Sequence, residues 1–110
     1  MKAAKKRKLE ARGWTVGTAE EFLGLSKEES EFVELKLALA EGVRTRRRLQ
    51  NITQTQLARL VGSSQSRIAK LEAADPTVAV DLMIRSLFAT GAGRRELASI
   101  IQRRRRSTAA

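Results

Sequence analysis

The chain has no cysteine, no histidine and no tyrosine, and a single proline among its 110 residues. The missing thiols and imidazoles exclude structural zinc, Cys or His nucleophiles and disulfide staples. Asp75 and Asp81 are the only aspartates, too few for a carboxylate metal cage, so neither metal nor cofactor is expected. Aromatics make up 4% of the chain, Trp14, Phe22, Phe32 and Phe88. Single-stranded RNA, usually held by stacking, is poorly served by so few rings. No apolar run approaches the roughly 18 residues of a membrane span. The basic start, Met1 to Lys8, is not followed by the apolar segment of a secretory signal. A soluble, cytoplasmic chain is therefore expected. No nucleophile–base pair, metal cluster or phosphate-cradling glycine loop can be assembled, so an enzyme is not expected.

What is present suits one helical domain. A chain of this length holds one modest core. The hydrophobic share is 42%, and the abundance of Ala, Leu, Arg and Glu favours helix over strand. No period-two pattern and no internal repeat interrupts that picture.

The charge is uneven. The net value is +10, from 22 basic and 12 acidic residues. Residues 1–12 carry +5, 13–43 carry −5, 44–74 carry +6, 75–93 carry −1 and 94–110 carry +5. Such segregation predicts basic surfaces for a polyanion and a separate acidic surface facing something else.

Turn and cap residues divide the chain. Residues 2–12 read as a frayed helix or a basic tail that Gly13 would stop. Thr18 is placed to cap a short helix, residues 19–23, that Gly24 would end. Ser26 with Glu29 has capping-box spacing, and a long helix is expected from Lys27 to about Gln50, ended by Asn51. Phe32, Leu35, Leu39 and Val43 form one apolar stripe on it; Val33, Leu37 and Ala40 form another. Two stripes require cover on two sides, one by the domain that follows, the other by Trp14, Phe22 and Leu23 or by a partner. Thr53 is placed to cap Gln54 to Val61, with Leu57, Ala58 and Leu60 inward. Gly62 breaks that helix. Ser64 caps Gln65 to Ala73, with Ile68, Leu71 and Ala69 inward. Asp75-Pro76 is a turn, Asp81 is expected to cap the next helix, through Phe88 to Gly91, and a last helix starts near Gly93.

The stretch from Ile52 to Glu72 reads as helix, tight turn, helix. The second helix keeps Gln65, Ser66, Arg67 and Lys70 outward, and packing requires none of them. Gln bonds adenine bidentately, Arg or Lys bonds guanine, and Ser bonds either. Here the chain resembles the Cro and phage-repressor-like (XRE) helix-turn-helix family, through Thr53-Gln54, Leu57-Ala58, Gly62, Ser64, Ser66, Ile68 and Glu72. The resemblance covers roughly residues 40–92. It implies an all-α, five-helix phage-repressor-like fold with a short helical N-terminal extension. The parts would be a basic tail and extension over 1–26, a DNA-binding domain over 27–102 with its motif at 53–73, and a basic tail over 103–110.

The resemblance also implies roles. Gln54 would touch a phosphate and brace Gln65. Gln65, Ser66, Arg67 and Lys70 would read bases. Thr53, Ser63 and Ser64 would hold phosphates, and Glu72 would hold helices together. Arg44, Arg46, Arg47 and Arg48 would add phosphate grip or form a solubilising surface. Two positions depart from the family's pattern. Arg46 stands where an apolar residue is usual, which predicts a rotated or more exposed helix end. Ala74 stands where a glycine often follows the Glu, which predicts a different cap.

The flanks, Gly13-Trp14-Thr15-Val16-Gly17, Glu21 to Ser26 and Glu34 to Leu39, look like the N-terminal extension of HigA-type antitoxins of type II toxin–antitoxin systems. This implies a repressor that masks a basic RelE/HigB-like RNase toxin and controls its own operon. Trp14, Glu20, Glu21, Phe22, Glu28, Glu31 and Glu34 would meet the toxin. Leu97, Ile100 and Ile101 would form a homodimer seam, or pack on Leu87 and Phe88 in the same chain. Lys2 to Lys8 and Arg103 to Arg106 are arms for DNA or simply exposed ends. The rival readings are a stand-alone phage-type regulator without a toxin and, from another class, an RNA-binding protein.

Overall fold

A computed structural model of the chain describes residues 24–103. Trp14, Glu20, Glu21 and Phe22, the expected Thr18 cap and the arginines beyond Arg103 lie outside the described residues. Five α-helices follow one another: α1 Lys27–Leu49, α2 Gln54–Val61, α3 Gln65–Glu72, α4 Val80–Ala89 and α5 Arg94–Gln102. The described residues contain no strand.

Residues 24–35 carry the start of α1. Gly24 has φ +69°. The Ser26 N–H donates to Glu29 Oε1 at 2.8 Å, and the Glu29 N–H donates to Ser26 Oγ at 3.0 Å. This reciprocal pair satisfies two of the donors that a helix start leaves unpaired. Hydrogen bonding from the Ser26 backbone N–H, and then from its side chain, lowers the Glu29 carboxyl below its ordinary value.

Residues Lys36–Arg103 form one compact unit. Its core is built from Leu39 and Val43 of α1, Leu57 of α2, Ile68 and Leu71 of α3, Val78 of the following turn, and Met83 and Leu87 of α4. Each such side chain contributes about 1.5–3 kcal/mol by leaving water. α2 packs on both α3 and α4. α5 closes on α1 where Gly42 meets Ile100: a Cβ on Gly42 would stand 3.0 Å from Ile100 Cδ1.

Four helices end in the same way. Asn51, Gly62, Ala74 and Gly91 are left-handed, with φ of 58°, 70°, 58° and 91°. After each, the next N–H reaches back to a carbonyl of the last turn: Ile52 to Arg47, Ser63 to Ala58, Asp75 to Lys70 and Ala92 to Leu87. Glycine enters this conformation freely, whereas an alanine is strained there. The expected change of cap at Ala74 is thus corrected: the helix ends there as it does at Gly62 and Gly91, and the alanine bears the strain.

Several other expectations need correction. Leu60 is 61% exposed and Val61 takes the inward place, because the α2 face that meets α3 and α4 is centred on Leu57 and Ala58. Ala69 is only half-buried; Glu72 is the third buried position of α3. Phe32 is exposed, while Leu35, Val33 and Leu37 are half-buried. Asp81 lies inside α4 and Ala79 is the N-cap, without a side-chain cap bond. Arg46 does not lie loose: its Nε donates to Thr90 Oγ1 at 3.1 Å and its Nη2 to the Thr90 carbonyl at 3.3 Å.

Candidate nucleic-acid interface

The turn between α2 and α3 is set by two caps and a glycine. Thr53 Oγ1 accepts the Gln56 N–H at 3.0 Å, and the Thr53 N–H donates to Gln56 Oε1 at 2.7 Å. Gly62 ends α2 in the left-handed region. Ser64 Oγ accepts the Arg67 N–H at 3.2 Å and starts α3. These local bonds aim the first turn of α3 away from the core.

The outward face of α3 is the expected one. Gln65, Ser66, Arg67 and Lys70 are all exposed. The Arg67 and Lys70 side chains make no hydrogen bond or salt bridge among the described residues, and Ser66 Oγ lies 3.4 Å from Ser64 Oγ. An open groove beside α3 is lined by Arg47, Arg48, Asn51, Ile52, Thr53, Gln54, Thr55 and Gln65. Thr53, Ser64 and Arg48 are exposed around it; Ser63 and Arg44 are half-buried. The structure therefore brings Gln65 of α3, the α2 start and Arg48 to one groove. Asn51, Ile52 and Thr55 also line the groove and were not among the expected contacts. Thr55, in the first turn of α2, was within reach of the cap reading; Asn51 was read only as a helix end.

Arg47 is the main correction among the basic residues. It lines the groove, but its guanidinium is already engaged within the fold. Its Nε bonds Glu72 Oε2 at 2.5 Å, its Nη2 bonds Glu72 Oε1 at 2.9 Å, and its Nη1 bonds the Ile52 carbonyl at 3.0 Å. The two side chains are 12% and 5% exposed. Such a fork-to-carboxylate pair ties α1 to the end of α3. Burial works to raise the Glu72 carboxyl. The Arg47 and Gln54 hydrogen bonds, with the charges of Arg47 and Arg44, outweigh it and hold the group below the usual carboxylate range. The same pairing raises Arg47 against the opposing effect of burial.

Glu72 has a second neighbour. Gln54 Nε2 donates to Glu72 Oε1 at 3.1 Å, and Gln54 Oε1 accepts Gln65 Nε2 at 2.7 Å. The expected brace between Gln54 and Gln65 is present, continued inward to Glu72 and Arg47.

The other candidate surfaces are less complete. Glu28 and Glu31 are exposed and Glu34 is half-buried, on successive turns of α1. Of the dimer candidates, Ile100 is buried in its own chain and is therefore withdrawn from any seam; Leu97 is half-buried and Ile101 is 46% exposed. No helix among the described residues is long and apolar enough to cross a membrane.

Residues 43–85 match the family model described as helix-turn-helix. The match runs from the last turns of α1 into α4 and takes in both helices of the motif and the whole polar chain. The fold is all-α and consistent with the phage-repressor-like helix-turn-helix type, and the match points to a DNA-binding transcription regulator. No curated protein and no solved structure matches the chain.

Proposed function

We propose that this protein is a sequence-specific repressor that binds double-stranded operator DNA by laying α3 in the major groove. The carrying observation is the exposed set Gln65, Ser66, Arg67 and Lys70, hydrogen-bonding residues that the core does not use. Arg48, Arg44, Thr53, Ser63 and Ser64 flank that helix and supply backbone contacts, which position the protein without reading sequence. A two-fold dimer through the open side of α5, with Ile101 and Leu97 but without Ile100, would set two α3 helices about 34 Å apart. Its operator would be nearly palindromic.

The repressor acts, in this reading, as the antitoxin of a type II pair. The support is the exposed acidic start of α1, at Glu28 and Glu31, beside an exposed Phe32. It suits a basic RelE/HigB-like RNase better than it suits DNA.

Fluorescence anisotropy on the DNA upstream of the protein's own gene and on a shuffled copy, at about 0.15–0.2 M salt, tests the first part, because non-specific phosphate binding is weak there. A preference of about a hundredfold or more is expected; equal weak binding overturns it. Co-expression with the neighbouring reading frame tests the second. A complex with a small basic protein, lost on deleting residues 1–30, is expected. Specific DNA binding without such a partner would leave a stand-alone regulator.

A further inference from the structure

The polar chain from Arg47 to Gln65 has one workable direction. A guanidinium carries only donors, and an ionised carboxylate carries only acceptors. Glu72 receives Arg47 on both oxygens and Gln54 on Oε1. An amide that meets a carboxylate must turn its NH2 toward it, so Gln54 presents Nε2 to Glu72. Its Oε1 then faces Gln65 and accepts only a donor, so Gln65 must offer its own NH2, at 2.7 Å. Turning either amide over would set oxygen against oxygen, or NH2 against NH2. Amide orientation, ordinarily a matter of choosing the better network, is dictated here from the buried end.

We infer that Glu72, acting through Gln54, sets which end of the Gln65 amide is offered to DNA, and so sets the base that Gln65 accepts. This rests on the DNA-reading role of α3 proposed above. With one N–H committed to Gln54, Gln65 offers its Oε1 and one remaining N–H. Adenine presents the matching pair in the major groove, an amino donor beside the N7 acceptor. Guanine presents two acceptors there, N7 and O6, and leaves the Gln65 oxygen facing another oxygen. A glutamine released from the chain has both N–H groups available and tolerates guanine. Glu72 and Arg47 are thus positioning residues, which touch no base themselves.

Two measurements on the full chain test this. In the absence of DNA, the side-chain amide resonances of Gln65 should differ from those of exposed Gln102. Gln54→Met, which leaves the ion pair in place, should move them to the position of an exposed glutamine. Wild-type Gln65 resonances already at that position would overturn the inference.

In binding, a duplex panel first locates the base pair whose preference Gln65→Ala abolishes. Wild type should favour A·T over G·C there by about tenfold. Gln54→Met and Glu72→Gln should cut this to about twofold, with preferences at the other base pairs retained. Should Glu72→Gln fail to fold, Gln54→Met carries the test. An unchanged A·T preference in a folded variant overturns the inference, as does a Gln65→Ala protein that keeps every wild-type preference. A wild type with no preference at any base pair would instead overturn the DNA-reading role itself.

Discussion

The last turns of α1 and the outward face of α3 are both polar and both rich in positive charge, yet they are used in opposite ways. Arg46 and Arg47 turn inward: one is tied to Thr90 at the end of α4, the other to Glu72 of α3 and to the Ile52 carbonyl. The Arg67 and Lys70 side chains make no hydrogen bond or salt bridge among the described residues; the Lys70 charge acts only at longer range, on Asp75. A cation that the fold has already satisfied is an element of stability. One that the fold leaves unsatisfied is available to a polyanion. Charge density alone does not separate the two, because a run of arginines on a helix necessarily faces several directions.

The contrast is broken most severely at Arg47. Arg47→Ala leaves the Glu72 carboxylate buried without its counter-ion and should destabilise the protein by about 3 kcal/mol, read by thermal or urea unfolding. If Arg47 were instead a phosphate contact, stability would hold and only DNA affinity and its salt slope would fall.

Arg67→Ala is the mirror experiment. Stability should stay within about 0.5 kcal/mol of wild type, while binding should lose about 1–3 kcal/mol with relaxed preference at one base pair. A uniform loss on every sequence, measured on the same duplex panel, would make Arg67 a phosphate contact.

Acid sharpens the comparison further. The Glu72 carboxyl is lowered on folding, so its contribution is present above its unfolded value near 4.5 and is lost as pH falls through the folded value. Unfolding free energy should therefore drop below about pH 4.5. The drop should be shallower in Arg47→Ala, where the largest lowering influence is gone. Equal slopes in the two proteins would assign acid sensitivity to Glu29, to Glu96, whose carboxylate accepts the Gly93 N–H at the start of α5, and to Asp75, which are also lowered.

The smallest effect is expected at the junction beyond α3. Ala74 holds φ 58° without a glycine's freedom, so Ala74→Gly should raise stability by about 0.5–1 kcal/mol and leave DNA preference unchanged. Destabilisation would mean that flexibility gained in the unfolded chain outweighs the strain relieved.

Most of the frame was legible without coordinates, because it rests on short-range chemistry. Ser26 with Glu29, Thr53 and Ser64 are caps whose partners lie three residues away. Asn51, Gly62 and Gly91 end helices by their own conformational preferences. Leu39, Val43, Leu57, Ile68 and Leu71 follow helical spacing to the core. The brace between Gln54 and Gln65 was legible only through family resemblance, since the residues stand 11 apart.

Three departures have a common cause, a neighbour distant in the chain. Leu60 and Val61 are adjacent apolar residues, and the packing of α2 on α3 and α4 chose between them. Ile100 was counted as a dimer residue because nothing in its own helix reveals Gly42 of α1 beneath it. Arg47 was counted as a phosphate contact because Glu72 lies 25 residues away.

The amino-acid sequence by itself determined an all-α chain, the helix-turn-helix and the polar residues on the outward face of α3, because periodicity, caps and turn residues act over a few positions. Only the tertiary structure decided which arginines are consumed by the fold, which apolar residues lie inside, and that a buried ion pair is joined through two glutamines to the exposed face. Those outcomes depend on distances between helices, and spacing along one helix does not contain them.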